Sequence, residues 1–360
     1  MRIALLGTRG IPANYGGFET FAEELSFRLA KRGHEVFVYC RNRHSSEEYR
    51  GVHLRYLPTI RHKYFDTIVH TFFSTFHLLV HRTDVALYCN AANALFTLLP
   101  RALGIPVVLN VDGIERKRKK WNALARAWYL GAEFLATVLP NAIVTDAQSI
   151  RAYYRKTYNM DSVFIPYGAD VARVETRAIL DSLGLQPHEY FLFVSRMEPE
   201  NRALEVRMAF EQTPTRMKLA LIGDAPYADE YIRRVRDTSD PRIVMPGAIY
   251  GLGYHELGSW CFAYIHATEV GGTHPALIEA MGRGALVIYL DTPENSEVCG
   301  DAGLPYKDQA GLTARMREVL AMPETERDRY RANAEQRVRE SYNWDVVTDR
   351  YEALLASLRE

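Results

Sequence analysis

The feature that most constrains this chain is the alternation of short apolar runs with amphipathic segments. The run Arg2–Leu6 leads into a loop rich in Gly and Pro at residues 7–17 and then into apolar residues at helical spacing. Gly33 stands where a helix C-terminal cap is expected. A strand, a loop and a helix in this order favour a parallel sheet, because parallel neighbours need crossover connections.

This unit recurs in two series. In the first half, predicted strands follow at Glu35–Cys40, Val52–Leu57, Val85–Cys89, Val107–Asn110 and Ala142–Thr145. In the second half they lie at Tyr190–Val194, Lys218–Ile222, Arg242–Met245, Cys261–His266 and Leu286–Leu290. Helical patterns separate most of them, so we predict an α/β fold with two doubly wound, Rossmann-like domains.

The pattern pauses at residues 164–168, where Pro166 and Gly168 interrupt it. We therefore predict an N-terminal domain at residues 1–168 and a C-terminal domain at residues 169–342. Residues 343–360 carry apolar side chains at helical spacing, which predicts an amphipathic closing helix. Periodicity alone does not assign that helix to either domain.

Composition narrows the class of protein. Lys plus Arg and Asp plus Glu both number 44 in 360 residues, so no overall positive charge favours nucleic acid. Four widely spaced cysteines argue against a zinc site or a disulfide framework and favour a reducing compartment. No signal peptide is evident, and the apolar stretch Ile68–Val80 is too short to span a bilayer. We expect a cytoplasmic protein.

Two loops after predicted strands suit a phosphate. Gly16 and Gly17 directly precede a helix, where glycine permits close approach and N–H groups attract anions; a tight turn without a ligand is the alternative. Arg196 follows the strand Tyr190–Val194 at the end of the sheet where α/β folds bind ligands, which suits a diphosphate. Nearby Glu198 either holds Arg196 in position or faces water.

The segment TEVGGTHPALIEAMGRGALVI, residues 268–288, is the densest signal. Backbone N–H groups from Gly272 to His274 can meet phosphate or sugar oxygens at the start of a helix that begins with Pro275. Glu279 lies one turn later and can accept hydrogen bonds from two vicinal hydroxyls, as on a ribose. A helix-dipole role for Glu279 is the alternative, although its neighbours are mostly apolar.

These residues, in this order, resemble the GT-B glycosyltransferases of family 4. The motifs GTRGIPANYGGFET, NVDGIERKRKKW, SRMEPEN and VGGTHPALIEAM further resemble a rhamnosyltransferase-like bacterial subgroup over essentially the whole chain. The resemblance implies two Rossmann-like domains that face each other across a cleft, with the nucleotide sugar on the C-terminal domain. It also implies that the last helix, near residues 343–345, crosses back to the N-terminal domain.

The resemblance implies roles for single residues. Glu279 matches the second glutamate of the family's E-x7-E motif, which binds the ribose, and Arg196 matches the diphosphate-binding arginine. Gly16 and Gly17 match the loop beside the donor phosphates. Asp112 lies where many relatives place a histidine near the donor sugar and the acceptor.

Two positions depart from the family pattern. Gly271 replaces the first glutamate of E-x7-E, so its contact with the sugar is missing or comes from backbone, His274 or Glu269. The usual lysine falls at Asn201, with Arg202 as a substitute. The expected donor-binding residues are Gly16, Gly17, Arg196, Asn201, Arg202, Gly271, Gly272, Thr273, His274 and Glu279.

The resemblance also implies chemistry with retention of configuration, without a metal or a cofactor. Asp112, Arg196 and His274 are the expected catalytic residues. We predict front-face displacement, in which the leaving phosphate accepts the acceptor proton and Asp112 orients the hydroxyl. Arg196 and helix N-termini would stabilise the leaving diphosphate.

A basic cluster at Arg116–Trp121 precedes a segment that contains Leu124, Trp128 and Phe134. Cations beside aromatics suit an anionic membrane surface and a polyprenyl-diphosphate acceptor, and residues 62–65 would extend that surface. A solvated turn before a core helix is the alternative.

The expected reaction moves a sugar from a nucleoside-diphosphate sugar to a glycan or a lipid-linked acceptor in bacterial surface polysaccharide synthesis. The first choice of donor by resemblance is dTDP-rhamnose, followed by UDP- or GDP-sugars. A sugar-nucleotide epimerase of similar shape and a non-catalytic nucleotide-sugar-binding scaffold subunit are the rival functions.

Overall fold

The computed structural model describes residues 1–13, 16–62, 65–118, 121–225 and 228–359. These residues divide into two compact units. The first unit comprises Met1–Tyr167, Gly271–Thr273 and Trp344–Glu360, and the second comprises Gly168–Val270 and His274–Asn343.

The described residues form fourteen strands in two sheets. The strands are β1 (Arg2–Leu6), β2 (Glu35–Cys40), β3 (Glu48–Tyr49), β4 (Val52–Tyr56), β5 (Val85–Cys89), β6 (Val107–Asn110), β7 (Ala142–Thr145), β8 (Val163–Phe164), β9 (Tyr190–Val194), β10 (Lys218–Ile222), β11 (Ile243–Gly247), β12 (Ala263–His266), β13 (Leu286–Leu290) and β14 (Gly303–Tyr306).

The same residues form fourteen α-helices and short 3-10 helices. The α-helices are α1 (Gly17–Lys31), α2 (Asp66–Val80), α3 (Leu98–Ala102), α4 (Ala123–Val138), α5 (Gln148–Tyr158), α6 (Ala178–Leu183), α7 (Ala203–Glu211), α8 (Asp229–Arg236), α9 (Gly251–Trp260), α10 (Pro275–Gly282), α11 (Pro293–Cys299), α12 (Gln309–Ala321), α13 (Glu324–Ser341) and α14 (Trp344–Ser357). The 3-10 helices are Ala91–Thr97, Glu115–Lys117 and Pro199–Asn201.

Both sheets have doubly wound topology. In the first unit the strand order is β3-β4-β2-β1-β5-β6-β7-β8, in which only the pair β3 and β4 is antiparallel among the described strands. In the second unit the order is β11-β10-β9-β12-β13-β14, and the pairs are parallel. The α/β fold with parallel sheets is therefore confirmed.

Burial explains why the strands could be predicted from their apolar runs. Every residue of β5 and of β13 is buried, as expected where helices cover both faces of a parallel sheet. The helix α1 ends as its sequence indicates: Gly33 has a positive φ, its N–H donates to the carbonyl of Ala30, and the N–H of His34 donates to the carbonyl of Leu29. This pattern is a Schellman cap.

The last helix, α14, lies in the first unit. Its buried face includes Trp344, Val347 and Tyr351. The ring of Tyr351 lies 5.2 Å from that of Phe21 on α1, and the guanidinium of Arg28 lies 5.4 Å from the ring of Trp344. The two helices therefore share an aromatic contact.

Strand ends differ from the sequence prediction by one or two residues in three strands, of which β4 ends at Tyr56 instead of Leu57. The strand β12 begins at Ala263 instead of Cys261, because α9 runs to Trp260 and Cys261 terminates it. The strand β11 occupies Ile243–Gly247 instead of Arg242–Met245. The helix α13 was not predicted, since it buries only Ala334 and Val338 and is otherwise charged.

Candidate functional site

The candidate residues follow strands that flank the points where strand order reverses. In the first sheet the reversal lies between β1 and β5, and in the second it lies between β9 and β12. Ligands of doubly wound folds bind beyond the carboxyl ends of such strands. The loop at residues 7–17 follows β1, Arg196 follows β9, and the segment that leads to α10 follows β12.

Packing explains two of the loop glycines in the first unit. Gly7 has a φ of +92°, and a Cβ on it would lie 2.3 Å from the carbonyl oxygen of Cys89. Gly10 has a φ of +99°, and its Cβ would lie 2.5 Å from the Sγ of Cys40. These glycines are required by the fold itself.

Gly16 has no such explanation among its described neighbours. A Cβ on Gly16 would meet only Glu19, at an ordinary 3.5 Å. Gly16 is the N-cap of α1, and its carbonyl accepts from the N–H groups of Glu19 and Thr20. The N–H groups of Gly17 and Phe18 have no acceptor within the helix, as at any helix start. They are the donors that an anion would meet.

Carboxylates of α1 fix the loop. The N–H of Arg9 donates to Oε1 of the buried Glu19 at 2.9 Å, and the N–H of Ala13 donates to Oε2 of Glu23 at 2.6 Å. The loop is therefore held from within the first unit. Asn14 and Tyr15 lie outside the described residues.

Asp112 is held in an uncommon conformation at the end of β6. Its φ is +59°, which costs a residue with a Cβ about 1 kcal/mol and is concentrated at functional sites. Its N–H donates to Oδ1 of Asn110 at 3.0 Å, and the hydroxyl of Tyr167 donates to its Oδ1 at 3.4 Å.

The support beneath Asp112 is buried. The Nδ2 of Asn110 donates to the hydroxyl of Tyr351 at 2.9 Å, and both side chains are fully buried. Burial and then the charge of Asp112 raise the pKa of Tyr167 well above its usual value, so Tyr167 stays a neutral donor. The partly exposed carboxylate of Asp112 is therefore oriented by a chain of neutral groups.

The segment Gly271–Thr273 packs on the carboxyl ends of β6 and β7 within the first unit. A Cβ on Gly113 would lie 2.5 Å from the carbonyl carbon of Gly271, and a Cβ on Gly272 would lie 2.2 Å from the carboxylate of Asp146. Both positions therefore require glycine. Packing therefore accounts for Gly272, one of the two glycines of this segment that the sequence assigned to the donor.

Thr273 is engaged by the same carboxylate. Its N–H donates to Oδ2 of Asp146 at 2.8 Å, and its hydroxyl donates to the backbone carbonyl of Asp146. The predicted contact between the Thr273 N–H and a phosphate therefore competes with Asp146. Sequence analysis missed Asp146, which is buried in the structure. Its position as an acidic residue directly after the predicted strand Ala142–Thr145 was the available signal.

In the second unit, Arg196 is partly exposed and lies beside buried acidic residues. Its Nη2 is 3.7 Å from Oε2 of Glu198, which is 7% exposed. The Nδ2 of Asn201 donates to the backbone carbonyl of Arg196 at 2.8 Å. Glu198 therefore lies beside Arg196 instead of facing water, and the Asn201 amide holds the Arg196 backbone.

Arg202 and Glu269, two further predicted substitutes, contact each other. Nη2 of Arg202 lies 2.9 Å from Oε1 of Glu269, and the N–H of Glu269 donates to the carbonyl of Glu200 at 2.9 Å. Each side chain is about three-quarters buried in this pair. The arrangement ties the loop after β9 to the loop after β12.

His274 is oriented by Asn295, which sequence analysis did not single out. The Nδ2 of the buried Asn295 donates to the carbonyls of Thr268 and Leu290 at 3.0 and 2.9 Å. Its Oδ1 must then accept from Nδ1 of His274, 2.8 Å away. The neutral His274 ring therefore carries its hydrogen on Nδ1 and its lone pair on Nε2.

Glu279 lies on α10 with its carboxylate beside two tyrosines. Burial raises the pKa of Tyr254 and of Tyr264, and the charge of Glu279 raises both further; Tyr254 also donates a hydrogen bond to it. Glu279 is partly exposed, whereas Ile278 and Ala280 beside it are buried. A carboxylate that both solvent and a buried hydroxyl reach is suited to accept from a ligand.

The basic cluster at residues 116–121 is largely engaged inside the first unit. Arg116 Nε lies 3.0 Å from Oε1 of the buried Glu133. Arg118 is itself buried and lies 2.5 Å from Oε1 of Glu115. Lys117 is exposed, whereas Lys119 and Lys120 lie outside the described residues, as do Lys63 and Tyr64 of the suggested extension.

The described residues contain neither a metal-binding cluster nor a membrane-spanning helix. Within them, no group of three or more His, Cys, Asp or Glu side chains is arranged to hold a metal ion. None of the described helices is both long and apolar enough to cross a bilayer.

A comparison with models of protein families finds one match. Residues 15–173 match the family model described as Glycosyltransferase Family 4. No curated protein sequence matches the chain.

Solved structures share the fold over nearly the whole chain. Anabaena HepE in complex with UDP and glucose is 14% identical, over 99% of this chain and 100% of that chain, with a TM-score of 0.81. Sucrose-phosphate synthase from Thermosynechococcus elongatus is 17% identical over 99% and 98%, with a TM-score of 0.82. WaaG, a glycosyltransferase involved in lipopolysaccharide biosynthesis, is 16% identical over 97% and 99%, with a TM-score of 0.74.

These likenesses show the GT-B fold. The family match covers residues 15–173, which is less than half of the chain.

Proposed function

We propose that the chain transfers a sugar from a nucleoside-diphosphate sugar to a hydroxyl of a glycan or a lipid-linked acceptor. The observation that carries this proposal is the placement of Arg196 and Glu279 in the second unit. They follow β9 and β12, which are hydrogen-bonded neighbours at the point where strand order reverses. A nucleotide bound at this point meets a guanidinium for its diphosphate and a carboxylate for its ribose.

His274 supplies a contact for the donor sugar. Gly271 has no side chain to replace the missing glutamate, and Glu269 is paired with Arg202. The Nδ1 hydrogen of His274 is committed to Asn295, so the buried Nε2 is the remaining acceptor of the ring, and neighbouring atoms must shift for a sugar hydroxyl to reach it. His274 thereby takes the accepting role that a carboxylate has in the resembling family.

Glu279 also bears on the choice of nucleoside. A carboxylate that accepts from two vicinal hydroxyls favours ribose over 2′-deoxyribose, which has only one of them. The geometry therefore favours a UDP- or GDP-sugar over dTDP-rhamnose, and HepE was solved with UDP-glucose. Because the motifs resemble those of rhamnosyltransferases, dTDP-rhamnose is included among the donors to be tested.

The proposed chemistry is front-face displacement with retention. The acceptor oxygen bonds to the anomeric carbon on the face from which the diphosphate departs, while the bond from that carbon to the phosphate oxygen breaks. The acceptor proton passes to the departing phosphate oxygen, so charge and protons balance. Asp112 orients the acceptor hydroxyl, and Arg196 stabilises the charge that develops on the diphosphate.

A surface-polysaccharide role for the product is the part of the proposal that rests on resemblance. WaaG, which shares the fold, acts in lipopolysaccharide biosynthesis. Incubation of the purified chain with labelled UDP-, GDP- and dTDP-sugars and a bacterial lipid extract tests it directly. We expect label in the lipid or glycan fraction with one donor class, and no transfer by Arg196→Met.

The control for this experiment is Arg317→Met, which removes an exposed arginine of the same unit and should transfer at the wild-type rate. Conversion of the nucleotide sugar to an epimer without any acceptor would replace this proposal by an epimerase. Binding of a nucleotide sugar without transfer to any acceptor would favour the scaffold function.

A further inference from the structure

Two helices of the first unit, α2 and α4, expose large apolar side chains, and α2 also turns most of its polar side chains inward. Helix α2 buries His70, Thr71, Ser74 and Thr75, whereas Phe76 is 47% exposed and Val80 is 77% exposed. A helix on a water-facing surface has the opposite arrangement. The polar groups that α2 buries are satisfied in part by the fold, as shown by the Thr75 hydroxyl, 2.9 Å from that of Tyr88.

Helix α4 buries one carboxylate among apolar residues and also exposes large apolar side chains. It buries Glu133, which accepts from Arg116 and from the hydroxyl of Tyr153 at 2.8 Å. Its outward side carries Leu124, which is 80% exposed, and Phe134, which is 55% exposed. The inward carboxylate is therefore neutralised, and the water-facing side is apolar.

The segments that expose these apolar side chains are neighbours in the fold. The 3-10 helix Ala91–Thr97 contacts both α2 and α4, and α3 contacts α2. Phe72 of α2 lies 6.4 Å, between ring centroids, from Phe96 of the 3-10 helix. We call this surface the inverted face; its prominent exposed members are Phe76, Val80, Leu98, Leu124, Leu130 and Phe134.

The charges around the inverted face are of one sign. Arg101 on α3 donates to the carbonyl of Val138 at the end of α4, at 2.9 Å, and Arg82 donates to the carbonyl of Leu103. Arg126 is exposed on α4 itself, as Arg82 and Arg101 are on their segments. Across the described part of residues 61–141, no Asp or Glu side chain is fully exposed, and the partly exposed Asp66 and Asp84 near the ends of α2 are paired with Arg41 and Arg359.

We propose that the inverted face docks on the surface of an anionic lipid bilayer, with its aromatic and aliphatic side chains in the interface and its arginines against lipid phosphates. An interfacial helix buries an apolar face, and nearby cations strengthen its binding to anionic lipid. A second copy of the chain is a poor occupant, because a two-fold contact would place these arginines against each other without carboxylates. The proposal is independent of the sugar-transfer proposal. It shares Leu124 and Phe134 with the membrane surface predicted from sequence, but its cations are Arg82, Arg101 and Arg126 instead of those at residues 116–121.

Co-sedimentation with vesicles tests this inference. We expect the chain to bind vesicles of phosphatidylglycerol and phosphatidylcholine, and to bind pure phosphatidylcholine vesicles at least about tenfold more weakly, because three arginines lose their anionic partners. The triple variant Phe76→Gln, Leu130→Gln and Phe134→Gln should lower the partition coefficient at least about tenfold. These side chains are exposed, so the variant should remain folded, which circular dichroism checks.

The matched control is the double variant Met208→Gln and Leu252→Gln, which removes exposed apolar side chains from the second unit. It should bind vesicles like the wild type. Failure of the wild type to bind anionic vesicles, or an unchanged partition coefficient for the triple variant, would overturn the proposal. A lipid-independent dimer that the triple variant dissociates would also overturn it and assign the face to self-association.

Discussion

Replacement of Glu279 by glutamine should remove discrimination between ribose and deoxyribose. The carboxylate has about four acceptor positions, of which the hydroxyl of Tyr254 uses one, so two ribose hydroxyls can still bind. A hydrogen bond to a charged group contributes about 1.5 to 3 kcal/mol. Because Glu279 is partly exposed, the lower figure applies, and loss of the 2′-hydroxyl should weaken binding about tenfold.

The assay is titration calorimetry with UDP and 2′-deoxy-UDP on the wild type and on Glu279→Gln. We expect the wild type to prefer UDP about tenfold, and Glu279→Gln to bind UDP at least about tenfold more weakly with a preference of about twofold. Glu318→Gln, which removes an exposed carboxylate of the same unit, should behave like the wild type. An equal preference for UDP in the wild type and in Glu279→Gln would refute the assignment of ribose to Glu279.

Three further outcomes follow from the structure. Asp112→Asn keeps a residue type that tolerates the positive φ but loses the charge, so turnover should fall about 100-fold while UDP affinity, measured by calorimetry, stays within about twofold; full turnover would remove Asp112 from catalysis. Asp146→Ala leaves the buried N–H of Thr273 without its acceptor, and urea unfolding should show a loss of about 2 kcal/mol; an unchanged midpoint would contradict this. Burial and the charge of Arg41 lower the pKa of His70 to about 4, against about 6.5 when unfolded, so the unfolded state binds the extra proton and stability falls as pH drops from about 6.5 towards 4. Between pH 7 and pH 4.5 that loss should be about 2 kcal/mol smaller in His70→Gln, and an equal loss in both proteins would show that His70 is not responsible.

The sheets could be predicted because their strands are buried on both faces. Strands such as β5 and β13 are then continuous apolar runs that a single sequence displays directly. The pattern could not indicate α13, whose buried stripe is only Ala334 and Val338. The two-residue strands β3 and β8 are too short for any periodicity to show.

At the candidate site, the sequence indicated residues whose side chains suit contact with a nucleotide. It did not indicate residues that hold those side chains or their backbone in place. Arg196 and Glu279 were found because a guanidinium and a carboxylate after strands suit a nucleotide. Asp146 and Asn295 were missed because their partners, Thr273 and His274, are far away in sequence. Distant contacts of this kind depend on the tertiary fold.

Glycine illustrates the same limit. Gly271 was assigned to the donor because it stands at the position of the family's first glutamate, and Gly272 because its backbone N–H can meet a phosphate or sugar oxygen. In the structure, a Cβ on Gly272 would meet the carboxylate of Asp146 and a Cβ on Gly113 would meet Gly271, so packing within the chain is itself a reason for glycine at positions 272 and 113. A glycine in the sequence can indicate a close contact, but the sequence does not tell whether the contacting group belongs to a ligand or to the chain itself.

A crystal structure of the chain with UDP would test the central claim most directly. The account predicts the diphosphate within hydrogen-bond distance of the guanidinium of Arg196 and both ribose hydroxyls within that distance of the carboxylate of Glu279. A nucleotide bound elsewhere, with Arg196 and Glu279 making the same contacts as without it, would contradict the account.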